Sequence, residues 1–258
     1  MRIRTAAVVL GTAVAFSALA VPAATADTAS PATIGKVVIN GGKPVVLGTT
    51  TSTFTASLTA SDDSGIDLAG VAFLHRGTSD ELDSTDADPV CKTVSATTST
   101  CTVTFKVNAK SNIGNSAAAG TWSAFGVVIP NDFDADTEAG IVTKDNVGTV
   151  KVLRAAKLTA NATPEPVKKG ATITVTGALS RVDWKTAKYA GYGSQKVALQ
   201  FRKAGTTNYV NVKGITAGST GSLKTTVKAA QDGYYRFVYA GSATTGAVSA
   251  TGDYVDVK

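Results

Sequence analysis

The densest run of chemically capable side chains is Asn131-Asp-Phe-Asp-Ala-Asp-Thr-Glu138, in which Asp132, Asp134, Asp136 and Glu138 alternate. Calcium takes six to eight oxygen ligands, and closely spaced carboxylates are its usual source. The EF-hand pattern fails here. Thr137 stands where the turn requires glycine, and Thr143 stands where the bidentate glutamate should fall. A looser calcium site in an inter-strand loop remains. Asp62, Asp63 and Asp67 would add ligands if their loop shared an end of the fold with it, as would the acidic run Asp80, Glu81, Asp83, Asp86 and Asp88. The same residues also read as solvated acidic loops that hold no ion. Calcium is the one cofactor that these residues suggest.

A second candidate lies at residues 181–196. Trp184, Tyr189 and Tyr192 are interleaved there with Arg181, Lys185, Lys188 and Lys196. Aromatic faces stack on sugar rings and cations attract anionic glycopolymers, so this loop suits a cell-envelope polymer. The plainer reading is that Trp184 and Tyr189 cover the edge of a core, with the lysines in water around them.

Catalytic chemistry finds few residues to work with. The chain has one histidine, His75, and two cysteines, Cys91 and Cys101. It has no G-x-S-x-G, S-x-x-K, H-E-x-x-H, P-loop or G-x-G-x-x-G motif. The expectation is a protein that is not an enzyme. A secreted hydrolase acting through paired carboxylates, or a protease inhibitor, is the alternative. Basic residues are spread along the second half without a nucleic-acid-binding motif, so no nucleic-acid partner is expected.

Residues 1–26 have the layout of a secretory signal peptide. Arg2 and Arg4 precede an apolar run over 6–20, and Ala24-Thr25-Ala26 is an A-x-A cleavage site. The mature chain would start at Asp27, outside the cell, with no transmembrane segment. In that compartment a lone cysteine pair defaults to a disulfide. Cys91 and Cys101 flank two short strand-like runs, so the bridge would staple a hairpin.

The elements that must position these residues are strands. The chain is 258 residues long and 43% hydrophobic, which suits about two folded domains rather than a disordered tail. Phe54, Ala56, Leu58 and Ala60 alternate with Thr53, Thr55, Ser57 and Thr59. Ile173 and Val175 alternate with threonines in the same way, as do Val103, Phe105 and Val107, then Val197, Leu199 and Phe201, then Tyr235, Phe237 and Tyr239. A period of two with one polar face marks antiparallel strands packed on one side. The grammar repeats in two halves, 27–153 and 154–258. Residues 27–153 hold 14 acidic and 8 basic side chains, a net −6, whereas residues 154–258 hold 5 and 15, a net +10. All seven tyrosines are in the second half.

The second half resembles the bacterial immunoglobulin-like repeats of secreted actinobacterial proteins. The resemblance is carried by Pro164-Glu-Pro-Val-Lys-Lys-Gly170, Ala171-Thr-Ile-Thr-Val-Thr-Gly177, Gln195-Lys-Val-Ala-Leu-Gln-Phe201, Gly221-Ser-Leu-Lys-Thr-Thr-Val227 and Asp232-Gly-Tyr-Tyr-Arg-Phe237, with Trp184 and Tyr189. It implies a seven-strand sandwich in which the Asp-Gly-Tyr turn is a corner where a tyrosine hydroxyl ties back to the backbone. The first half is similar in weaker form, through Ser61-Asp-Asp-Ser-Gly-Ile66 and Gly120-Thr-Trp122. The expected fold is all-β, with two tandem immunoglobulin-like antiparallel β-sandwiches after a cleaved signal peptide. The expected role is extracellular binding or structural display toward an envelope polymer or a protein partner, with a calcium-binding module as an alternative.

Overall fold

The computed structural model describes residues 31–75, 81–82 and 88–258. The signal-peptide reading of 1–26 lies outside them, as do the side chains of His75 and of the acidic run from Asp80 to Asp86. Nearly every described segment is a strand or a short turn, because apolar residues recur with a period of two.

The first half contributes β1 (Thr33–Ile39), β2 (Val45–Leu47), β3 (Ser52–Ser61), β4 (Ile66–His75), β5 (Glu81–Leu82), β6 (Val90–Ser95), β7 (Thr98–Val107), β8 (Gly120–Pro130) and β9 (Val142–Arg154). One sheet has the order β1-β3-β7-β6 and the other β2-β9-β8-β4-β5. All pairs are antiparallel except β2 with β9, which is parallel. The chain therefore starts in one sheet and crosses to the other before the second long strand begins. That order is the A-B-E-D and A′-G-F-C-C′ arrangement of an immunoglobulin-like sandwich. The inward residues of β3, β4 and β7 meet in a triplet of rings. Phe54 stacks on Phe105 at 4.9 Å, and Phe73 meets Phe105 edge-on at the same distance. The buried Trp122 on β8 donates its indole N–H to Ala118 O at 2.8 Å.

The second half contributes β10 (Ala156–Leu158), β11 (Asn161–Thr163), β12 (Thr172–Asp183), β13 (Lys188–Gly191), β14 (Lys196–Lys203), β15 (Val210–Thr216), β16 (Ser222–Lys228), β17 (Gly233–Tyr239), β18 (Val248–Ser249) and β19 (Asp253–Val255). Strand β12 pairs with β10, β11, β13 and β16. The second sheet runs β15-β14-β17, with β18 and β19 both on the far edge of β17. The opening strand again changes sheets, since Val167 bridges Val257 in parallel. The core is built from the expected positions, including Ile173, Val175, Val197, Leu199, Tyr235 and Phe237, all buried. Gly221 makes the turn before β16 possible. Its φ is +83°, and a Cβ there would meet Leu179 O at 2.1 Å.

The tyrosine-corner expectation is corrected. At the Asp232-Gly-Tyr turn the tie runs through Asp232, whose Oδ1 accepts the Val257 N–H at 2.8 Å. Tyr234 instead turns its ring to the outer face of the sheet, against Arg202 and Tyr254.

Candidate functional site

The two acidic loops do meet. Asp62 and Asp63 follow β3, Asp132 follows β8, and carboxylate oxygens of all three lie within 4.8 Å of one another. Ser64 ties them together. Its hydroxyl donates to Asp62 Oδ1 at 2.6 Å and lies 3.0 Å from Asp132 Oδ1, and Asn131 Nδ2 donates to Ser64 O at 2.8 Å. The run 131–138 does not act as one ligand set. Asp134 is committed to its own turn, accepting from Asp136 N at 2.9 Å and from the Thr137 hydroxyl at 2.8 Å. The Thr137 hydroxyl, followed by the Asp136 N–H, holds the Asp134 carboxyl below its usual range. Asp136 and Glu138 stay outside the group formed by Asp62, Asp63 and Asp132. Three carboxylates already bridged by a serine fall well short of the six to eight oxygens that calcium takes. The hydrogen bonds account for the convergence.

Cys91 and Cys101 form the expected disulfide, directly opposite each other on β6 and β7.

The aromatic loop at 181–196 is placed differently from the glycan-binding expectation. The β12–β13 hairpin leaves its own sandwich and reaches the first one. Trp184 is fully buried there, packed into the first core together with Val182. Its indole N–H donates to Leu47 O at 3.2 Å, and its backbone N–H donates to Ser116 Oγ at 2.9 Å. A ring with no exposed face cannot stack on a sugar, so Trp184 is a domain-junction residue. Tyr189 is half-buried against the same core, and the Lys157 ammonium sits 4.2 Å from its ring centre. Tyr192 packs edge-on to Tyr239 at 5.8 Å, and the Arg181 guanidinium lies 3.9 Å from its ring centre. Lys185 and Lys188 are exposed at the tip of the hairpin.

Arg154 closes the junction. Its Nε donates to Val182 O at 2.7 Å, and its guanidinium lies 3.9 Å from Asp183. Asp183 also accepts from Thr186 and from the Ser116 hydroxyl of the first sandwich. The Thr186 N–H is the main cause of a lowered carboxyl pKa. Partial desolvation opposes it, and the Thr186 and Ser116 hydroxyls and Arg154 add to it.

A different surface gathers half-buried arginines and tyrosines beside the exposed Tyr254. Outward residues of β14 and β17 pair across the sheet as Arg202 with Tyr234 and Gln200 with Arg236. Tyr254 lies beside Tyr234 at 5.1 Å, centre to centre. The Arg202 guanidinium sits 4.0 Å over Tyr234 and 5.3 Å from Tyr209, and Arg236 sits 3.7 Å over Tyr209. The Tyr209 hydroxyl is the main influence holding the Arg202 pKa above its ordinary value. Arg236 Nε donates to Gln200 Oε1 at 3.0 Å, and Gln200 Nε2 donates to Asn211 Oδ1 at 2.9 Å. Each stack holds a charged group in a defined place on the outer face of the sheet. Sequence reasoning missed this face. The alternation was read for its buried members, Tyr235, Phe237 and Tyr239, and the complementary members Tyr234 and Arg236 carried the signal.

No protein-family model matches the chain. No curated protein matches it either. Several solved structures are similar. Three N-terminal domains of the bacteriophage RB49 outer capsid protein Hoc are 10% identical, with a TM-score of 0.33 over 88% of this chain and 71% of that one. The Escherichia coli adhesin FdeC is 13% identical, with a TM-score of 0.32 over 90% of this chain and 66% of that one. A run of titin domains is 10% identical, with a TM-score of 0.29 over 89% and 68%. The immunoglobulin-like assignment stands on the strand order itself.

Proposed function

We propose that the protein is an extracellular, non-enzymatic binding module that holds an anionic cell-envelope polymer on the outer face of the β15-β14-β17-β19 sheet. The observation that carries this reading is the set of stacks formed by Arg202 and Arg236 on Tyr209 and Tyr234. They fix two guanidinium groups on one face of the sequence half 154–258, whose net charge is +10. Arginine suits this use because its planar fork matches carboxylate and phosphate oxygens while its face lies on a ring. The disulfide fits an oxidising compartment. Among the described residues, no helix is long and apolar enough to cross a membrane.

The test is binding of the full chain to purified envelope polysaccharide across a salt titration. Wild-type affinity is expected to fall as salt rises, since exposed charges are screened. The double variant Arg202→Gln/Arg236→Gln is expected to bind at least tenfold more weakly at low salt. Salt-insensitive binding, or full binding by the double variant, would overturn the reading. Binding that requires calcium would move the site to Asp62, Asp63 and Asp132.

A further inference from the structure

On the outer face of this sheet, successive rows of side chains lie two residues apart, about 7 Å along the strand. The first row carries Arg202, Tyr234 and Tyr254, and the second carries Gln200, Arg236 and Asn211. The third row is small, with Gly214 and Val238 on either side of Ala198. The loss of bulk leaves a shallow hollow of about 570 Å³, bordered by Gln200 and Asn211 on the arginine side and by Lys196 at the far end.

Gln200 and Asn211 belong to both features. They wall the hollow, and their amides are bonded to each other and, through Gln200, to Arg236. A molecule lying in the hollow would meet Ala198 and Val238 as an apolar floor. It would meet oriented amides at the wall, an ammonium at one end and a guanidinium one row away. An inorganic anion or a flexible polyanion needs only the cations. An apolar floor beside fixed amides is the lining that orients a ring carrying both C–H faces and hydroxyls. The row spacing then brings an acidic group on that ring, or on the next one, within reach of Arg236.

We infer that the hollow beside Arg236 is a sugar-ring subsite, so that the polymer held on this face is an acidic glycan. The inference rests on the reading of the face as anion-binding. Gly214 supplies the means to separate the two. Its φ lies outside the left-handed region and a Cβ built there meets nothing within 4 Å. A side chain at this position therefore fills the hollow and leaves both arginines in place.

The experiment is calorimetry on the full chain with three probes: polygalacturonate (rings with charge), dextran (rings without charge) and polyphosphate (charge without rings). Wild type is expected to bind polygalacturonate at least tenfold more tightly than either other probe. Gly214→Leu should lose at least tenfold toward polygalacturonate and nothing toward polyphosphate. Arg202→Gln/Arg236→Gln should lose affinity for both. Circular dichroism melting checks that Gly214→Leu folds, and Ala198→Leu fills the same hollow from β14 if it does not. Polygalacturonate binding unchanged in the hollow-filling variant, or matched by dextran or by polyphosphate in wild type, overturns the sugar-ring subsite and leaves an anion-binding face. If neither polyanion binds wild type, the face itself fails and the subsite falls with it.

Discussion

At the scale of single residues, Trp184 shows what a sequence does and does not disclose. Its type announced a large ring with a polar tip, and both stacking and burial satisfy that description. Burial was legible only as the plainer reading of a ring that covers a core edge, because Val182 and Trp184 fall on the opposite parity from Ile173, Val175 and Leu179 and so break the period of two. The identity of the core that receives the ring was not legible, because it belongs to the other sandwich. Asp183, beside it, gives a pH signature of the same contact. Its folded pKa lies below the ordinary aspartate value of 3.8, with the Thr186 N–H as the leading cause. A depressed carboxylate contributes stability that is present above the unfolded value and lost as pH falls through the folded one. Asp183→Asn should therefore be less stable than wild type at pH 7, with the gap closing below about pH 4. Denaturant titrations at pH 7 and at pH 2–3 measure this. An equal gap at both would show that the Asp183 charge has no part in the junction.

At the scale of elements, strand existence was legible and strand partnership was not. The alternation at 53–60 and at 172–176 named the buried face of β3 and of the first part of β12. No periodicity told that β12 would run on to Asp183 and pair there with β13. The arginine–tyrosine face was missed for the same reason. Gln200 and Arg236 are 36 residues apart, and only register sets them opposite each other. The β6–β7 hairpin is the exception. A bridged cysteine pair separated by ten residues specifies both partners and their register, since each must face the other. The staple closes a short loop, and the chain-entropy account gives it about 2–3 kcal/mol. Cys91→Ser/Cys101→Ala should lower the unfolding free energy by roughly that amount, and added reductant should then have no effect. A loss near zero would mean that the pairing of β6 with β7 holds the hairpin unaided.

At the scale of the whole molecule, the hairpin decides whether the two sandwiches act as beads or as one body. Two domains joined by a short linker normally move relative to one another unless their interface is large and apolar. Here the junction is bonded on several sides. Trp184 fills the end of the first core, Arg154 bonds Val182 O, and Gly246 N donates to the carbonyl of Arg154. The acidic and basic halves are thereby bonded to each other at this junction. Unfolding should reflect the coupling. With Trp122→Phe, Trp184 becomes the sole tryptophan and reports the junction, while far-UV circular dichroism reports strands in both halves. The two signals should follow one transition. Trp184→Ala removes a buried ring at a cost of about 3–5 kcal/mol and leaves the second core intact, so its circular dichroism transition should split in two. Two transitions already present in the Trp122→Phe protein would mean that the junction is a contact without coupling. A single unsplit transition in Trp184→Ala would place the coupling in Arg154 and the backbone bonds around Gly246.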